Sequence, residues 1–141
     1  MGKTFLAKSI RRFPSRLGSV WVDCSDRADI TQKLHPSSNW FDLYAVPKWE
    51  SNVFLDDLGA DPVISEYGNR FDYVAEFIDA YYRKGSGRMI ITTNLHSNRT
   101  AENPNDGLLE RYGARILDRL RDMTVVVPMR GQSKRSKEIV R

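Results

Sequence analysis

Apolar residues in this chain recur with two periods, and the two alternate along its length. "SVWVD" (19–23) alternates and is rich in β-formers, "NVFLDDLG" (52–59) is an apolar run ending in acids, and "RMIITTN" (88–94) and "TVVVPM" (124–129) are further short apolar runs. Each reads as a strand, and the unbroken apolar stretch in 88–94 predicts burial on both faces. Between them the period changes. From Thr4 to Phe13, Leu6, Ile10 and Phe13 fall at i, i+4 and i+7 until Pro14 stops the helix. "RFDYVAEFIDAYYRKGSG" sets Phe71, Val74, Phe77, Ile78 and Tyr81 on one helical face, closed by Gly85 and Gly87. Residues 108–122 repeat the pattern with Leu108, Leu109, Tyr112, Ile116 and Leu120. Residues 25–50 read less clearly: "DRADITQKL" is a helix opening on Asp26 or Asp29, and Pro36, Ser37, Ser38 and Asn39 mark a loop. Residues 97–107 are a polar loop. Strands alternating with helices predict an α/β fold, a parallel sheet with helices on its faces.

The chain has 141 residues, 40% hydrophobic and 28% charged, which suits one globular domain with a modest core. Its net charge is +4 and its pI near 9.3. That balance permits phosphate or nucleic-acid binding without requiring it, because acids and bases are interspersed. Cys24 is the only cysteine, which excludes a disulfide framework and a zinc set and predicts a reduced, cytoplasmic setting. No apolar run approaches the roughly 20 residues of a membrane span. Lys3, Lys8, Arg11 and Arg12 interrupt the start too often for a secretory signal, and Leu6 stands where a myristoylation motif needs Ser or Thr. The first 22 residues are basic and free of acids, like an organellar presequence, but they run directly into a strand.

Three stretches carry candidate chemistry. Asp56 and Asp57 close an apolar strand, where adjacent carboxylates resist desolvation unless something cationic meets them. Ligands of open parallel sheets gather beyond the carboxyl ends of the strands, which is where this pair falls. A surface turn opening on Asp-Asp is the plainer alternative. Thr92, Thr93 and Asn94 end another strand with uncharged groups able to hold a water or a phosphate oxygen, or simply to make a turn. Arg111, Arg115 and Arg119 recur at a spacing of four and so share one helical face. Like charges at that spacing cost about 0.2–0.5 kcal/mol per pair, offset in part by Asp118 and Asp122. The ridge is better explained if an anion or an acidic neighbour meets it, although a solvated face is the ordinary alternative. "MGKT" matches the last three positions of the phosphate-binding pattern G-x-x-x-x-G-K-[ST], a weak match by itself.

Taken in order, G-K-T, an apolar run with D-D, I-T-T-N, the arginine-bearing "RYGARILDRL" and the S-x-R of "GQSKR" resemble the AAA+ ATPases of the DnaC/IstB helicase-loader group. The likeness extends over nearly the whole chain, with "EYGNRFDYVAEFIDAYYRKG" and "MIITTNL" closest to DnaC-type loaders. It implies that Gly2, Lys3 and Thr4 are the end of a Walker A loop, with Lys3 on the ATP phosphates and Thr4 on Mg²⁺. Asp56 would hold Mg²⁺, and Asp57 would polarise the attacking water. Asn94 would orient that water as sensor 1. Arg119, with Arg115 as second choice, would be the arginine finger offered to a neighbouring subunit in a homo-oligomer. Arg135 would be the sensor 2 residue. The partners it implies are a replicative helicase and single-stranded DNA.

The resemblance also carries a departure. Family members place a strand and a glycine-rich turn ahead of the lysine, and this sequence begins inside that motif. The expected fold is therefore an α/β, parallel-sheet P-loop NTPase of the AAA+ ASCE type lacking its first, interior strand, over a single partial domain 1–141 with a basic tail, 130–141. The expected function is that of an ATP-binding DnaC-like helicase loader in DNA replication. ATP hydrolysis is expected of the full-length family rather than of this chain alone. An IstB-like transposition helper, or an interaction module that has lost hydrolysis, are the alternatives. Cys24 is expected to be a small buried side chain, and His35 and His96 to bind no metal. Tyr81 and Tyr82 are expected to pack rather than stack on bases, and Trp21, Trp40 and Trp49 stand isolated in the sequence.

Overall fold

A computed structural model describes residues 2, 3, 6–8, 18–95 and 107–129. In chain order the elements are β1 (Ser19–Asp23), α1 (Arg27–Leu34), α2 (Trp40–Leu43), β2 (Asn52–Leu58), β3 (Ile64–Glu66), β4 (Asn69–Phe71), α3 (Tyr73–Lys84), β5 (Met89–Thr93) and α4 (Leu108–Met123). Strands β1, β2 and β5 form a parallel sheet in that order, with β2 central. Val20 faces Val53, Asp23 faces Asp56, and Leu55 faces Ile91. The α/β class with a parallel sheet is as the periodicities predict.

Alternation in β1 buries Val20 and Val22 on one face, where they join Val53, Leu55, Ile30, Val74 and Ile78. Helices α1, α3 and α4 pack side by side over that face. The other face carries Trp21 stacked on Phe54, 5.6 Å between ring centroids, with the Lys8 ammonium 5.9 Å from the indole centroid. Helical residues from the start of the chain therefore reach the face that the other helices leave open. Asp26 caps α1, its carboxylate accepting from the N–H groups of Ala28 and Asp29. That settles which acid opens the helix.

Five expectations need correction. In the first helix, Lys3 and residues 6–8 are helical, but Ala7 is the buried side chain and Leu6 is half-exposed, so the stripe is rotated; the rest of Thr4–Phe13 lies outside the described residues. Phe71 belongs to β4, because Asp72 caps α3 through the Ala75 N–H and leaves Phe71 ahead of the helix. It closes a small antiparallel hairpin with β3 that turns at Tyr67 and Gly68, both at positive φ. Helix α4 is bent at Gly113, whose φ of 87° is open to glycine and strained for other residues, so the arginine ridge is not straight. Met89, Ile90 and Ile91 are only half-buried, against the expectation of burial on both faces.

The last correction explains the fourth strand that does not form. Residues 124–129 pair with no strand among the described residues, and Val125, Val126 and Val127 are exposed. Among the described residues no strand occupies the outer edge of β5. A cavity of about 1240 Å³ lies there, lined by Met89–Thr93, by Leu6 and Ala7, by Leu120, and by Val125–Val127. The valine run and β5 both line this slot without forming a ladder among the described residues. The 97–107 loop, except Gly107, and the tail from 130 onwards lie outside the described residues.

Candidate functional site

The carboxyl ends of β1, β2 and β5 converge on one rim of the sheet. β1 ends at Asp23, in register with Asp56 of β2. The β2–β5 register then shifts between Leu55 and Leu58, a bulge occupied by Asp56 and Asp57. Asp57 has φ 60°, an uncommon conformation for a residue with a β-carbon and one that recurs at functional sites. The bulge is held by one side chain. Thr92 donates its hydroxyl to Asp56 Oδ1 at 2.7 Å and accepts the Asp57 N–H at 2.7 Å. Asp56 is thereby buried with a defined partner, while Asp57 is half-exposed. Gly59 ends the turn at φ 102°, where a β-carbon would fall 2.4 Å from Leu95.

Lys3 reaches the same rim. Its ammonium donates to the Thr93 carbonyl and to Asn94 Oδ1, each at 2.7 Å. Behind it the Leu6 N–H donates to the Gly2 carbonyl at 2.9 Å, the first hydrogen bond of the helix. Lys3, Asp56, Asp57 and Asn94, spread across the sequence, thus meet at the end of adjacent strands. Thr4 and Arg135 lie outside the described residues.

The field at this rim is negative. Burial pushes the Cys24 thiol far above its ordinary value, and Asp61, Asp23, Asp56 and Asp57 push it further. Cys24 is fully buried, as its small side chain suggests. Such a field attracts a cation and disfavours a free anion, so a phosphate would enter with Mg²⁺ or against Lys3. Among the described residues no group of three or more His, Cys, Asp or Glu is arranged to hold a metal by itself. Mg²⁺ commonly takes one or two carboxylates and completes its shell with phosphate oxygens and water. The Asp56 carboxylate, on the same strand-end rim that Lys3 reaches through Thr93 and Asn94, suits that mode of binding.

The arginines divide at the Gly113 bend. Arg111 turns to Asp61 and Asp72, with ion pairs at 2.6 and 2.7 Å, and also donates to the Asp61 carbonyl. The Asp61 side chain is only 1% exposed, and the Tyr112 hydroxyl donates to its other oxygen. This cluster ties α4 to the turn after Gly59 and to the start of α3. Arg115 and Arg119 meet Asp79 of α3 instead, at 2.9 and 3.5 Å. Arg119 also lies over the Tyr82 ring, 4.3 Å from its centroid, and is 31% exposed against 70% for Arg115. The acidic neighbours that the ridge called for are therefore Asp61, Asp72 and Asp79.

Two contributors escape a reading of sequence alone. Asp23 ends "SVWVD" much as Asp56 ends "NVFLD", and that parallel was its available signal. Asp61 carried no signal, since its role depends on an arginine 50 positions away. Comparison with protein-family models, with curated proteins and with solved structures finds no match to this chain. Among the described residues no helix is long and apolar enough to cross a membrane.

Proposed function

We propose that this chain is an ATP-binding AAA+ protein of the P-loop type, similar to DnaC helicase loaders, working with a replicative helicase and single-stranded DNA. What carries the reading is the convergence of Lys3 and Asn94 beside the Asp56–Asp57 bulge, on the rim where parallel sheets bind ligands. In this reading Lys3 exchanges its two oxygen partners for phosphate oxygens, and Gly2 opens the helix beneath them. Asp56, oriented by the Thr92 hydroxyl, would hold Mg²⁺ with Thr4. Asp57 and Asn94 position water, and Arg135 contacts the nucleotide from the tail. Bound Mg²⁺ would neutralise charge developing on the phosphates.

Arg119 as a finger in trans must first leave Asp79 and Tyr82, so oligomerisation and release of that contact are coupled. Arg115, more exposed and on the same carboxylate, needs less rearrangement. The internal engagement of both Lys3 and Arg119 also favours a second reading, an interaction module that kept the fold without turnover. Calorimetric titration with Mg-ATP tests the first. Binding that requires Mg²⁺ and is lost in Lys3→Ala and weakened in Asp56→Asn supports it. Binding indifferent to Lys3→Ala, or absent altogether, leaves the second.

A further inference from the structure

The opposite end of the sheet, where the strands begin, carries aromatic rings interleaved with lysines. Tyr44 packs on Trp40 at 4.8 Å between centroids, and Trp40 meets Phe41 edge-on at 5.2 Å. The Lys48 ammonium lies 5.5 Å from the Phe41 centroid and 5.0 Å from that of Trp49. Lys84, at the end of α3, approaches the same indole at 5.3 Å. Trp40 and Trp49, isolated in the sequence, are thus joined by one continuous series of ring and cation contacts.

Two features of this row point outward. Among the described residues no carboxylate lies within ion-pair distance of Lys48 or Lys84, whereas Lys33, over Trp40, is paired with Asp29 at 2.7 Å. Burial and then the neighbouring Lys84 press Lys48 toward its neutral form, with Asp42 opposing them only in part. An incoming anion would relieve both. Tyr44 is meanwhile 62% exposed, and the next residue, Ala45, is held at φ 52° by bonds from its own N–H to the Asp42 carbonyl and from the Val46 N–H to the Phe41 carbonyl. A turn at positive φ thereby presents Tyr44 at one end of a row whose other end carries Lys48 and Lys84, neither ion-paired among the described residues.

We propose that the row from Tyr44 to Lys84 is a track for single-stranded nucleic acid, with phosphates on Lys48 and Lys84 and bases stacked on Tyr44 and Trp40. Aromatic faces combined with unpaired cations are the elements by which single strands are held without sequence preference. The track lies away from the Asp56 rim, so one molecule could hold a strand and a nucleotide together. The proposal rests on the DNA part of the function above and not on nucleotide turnover.

The test is titration of the full chain into a labelled oligothymidylate, followed by anisotropy over a range of salt. Lys48→Ala with Lys84→Ala should weaken binding and reduce the slope of log K against log salt by about 1.4, roughly 0.7 for each lost phosphate contact. Tyr44→Ala should weaken binding about fivefold or more at unchanged slope, and Tyr44→Phe should restore it. Lys84→Gln, at an exposed site, serves as a cation variant that leaves the fold intact by thermal melt. Unchanged affinity and slope in folded lysine variants would overturn the track while leaving DNA binding elsewhere on the chain. Equal binding of a duplex, insensitive to Tyr44→Ala, would overturn base stacking. If the unaltered chain binds no oligonucleotide, the DNA part of the proposed function fails with it, and the Mg-ATP titration still reports separately on the nucleotide site.

Discussion

The Lys3 ammonium donates to Asn94 Oδ1 at 2.7 Å across 91 positions of sequence. A lysine near a chain start rarely finds a specific partner so far away unless a sheet brings the two together. The contact makes the two residues separable by mutation. Charged hydrogen bonds are worth about 1.5–3 kcal/mol, so Lys3→Ala should lower Mg-ATP affinity roughly tenfold or more. Asn94→Ala removes a competitor for the ammonium and should leave affinity unchanged or slightly higher. Calorimetry on the two variants would distinguish them, and equal losses would mean that Asn94 itself binds the nucleotide.

Thr92 holds both ends of the Asp56–Asp57 bulge, so Thr92→Val should loosen it. The substitution keeps the shape and removes one donor and one acceptor, taking the Thr92 acceptor from the Asp57 N–H and one hydrogen bond from the buried Asp56 carboxylate. An expected loss of about 1–3 kcal/mol would appear as a lower urea midpoint. Thr92→Ser should recover most of it, and a Val variant as stable as the parent would show that water replaces the hydroxyl.

Arg111 has a larger effect to show. Removing one member of a buried ion pair leaves the other charged and desolvated, at a cost of about 3–5 kcal/mol. Arg111→Met should therefore unfold at much lower denaturant, because Asp61 is left enclosed. Arg111→Lys should rescue little, since a single ammonium cannot reach Asp61 and Asp72 as the guanidinium fork does. The double variant Arg111→Met with Asp61→Asn should be more stable than Arg111→Met alone.

Alkali should weaken the fold in stages. Burial and nearby carboxylates raise the Cys24 thiol above its ordinary 9.0, burial and Asp61 raise Tyr112 above 10.0, and burial raises Tyr81 above 10.0. Above those ordinary values the unfolded chain releases protons that the folded chain keeps, so stability falls as pH rises. The melting temperature should hold below the thiol value and decline beyond it. Cys24→Ala should delay the decline toward the tyrosine range, whatever it does to the melt at neutral pH. In the folded chain Cys24 should resist a thiol reagent that labels it after denaturation.

Legibility in the sequence followed the range of the interactions. Strands β1, β2 and β5 and the buried faces of α3 and α4 came from local periodicity, which burial on one side imposes. The Asp26 cap and the pairing of arginines with acids were open in kind but not in partner, because Asp61, Asp72 and Asp79 become neighbours only through the fold. The Tyr67–Gly68 hairpin was missed since its turn lacks the usual Asn-Gly pair and its strands are three residues long. Residues 124–129 failed as a strand for a different reason. Their composition favours β-structure, but a ladder needs a neighbour, and no local pattern records whether one is present. Likewise the Asp56–Asp57 pair was visible as an oddity, while the bulge and the Thr92 bridge that give it shape were not.

The slot beside β5 has a kinetic meaning as well. Among the described residues no strand covers its outer edge, and the adjacent Val125–Val127 run is an exposed apolar segment of the kind that pairs with such edges. Donor and acceptor sit on every molecule. Pairing between molecules is second order in chain concentration, while collapse of one chain is first order. The yield of monomer on refolding should therefore fall as the chain is concentrated, and the rate of dilution rather than the final buffer should decide how much of it survives.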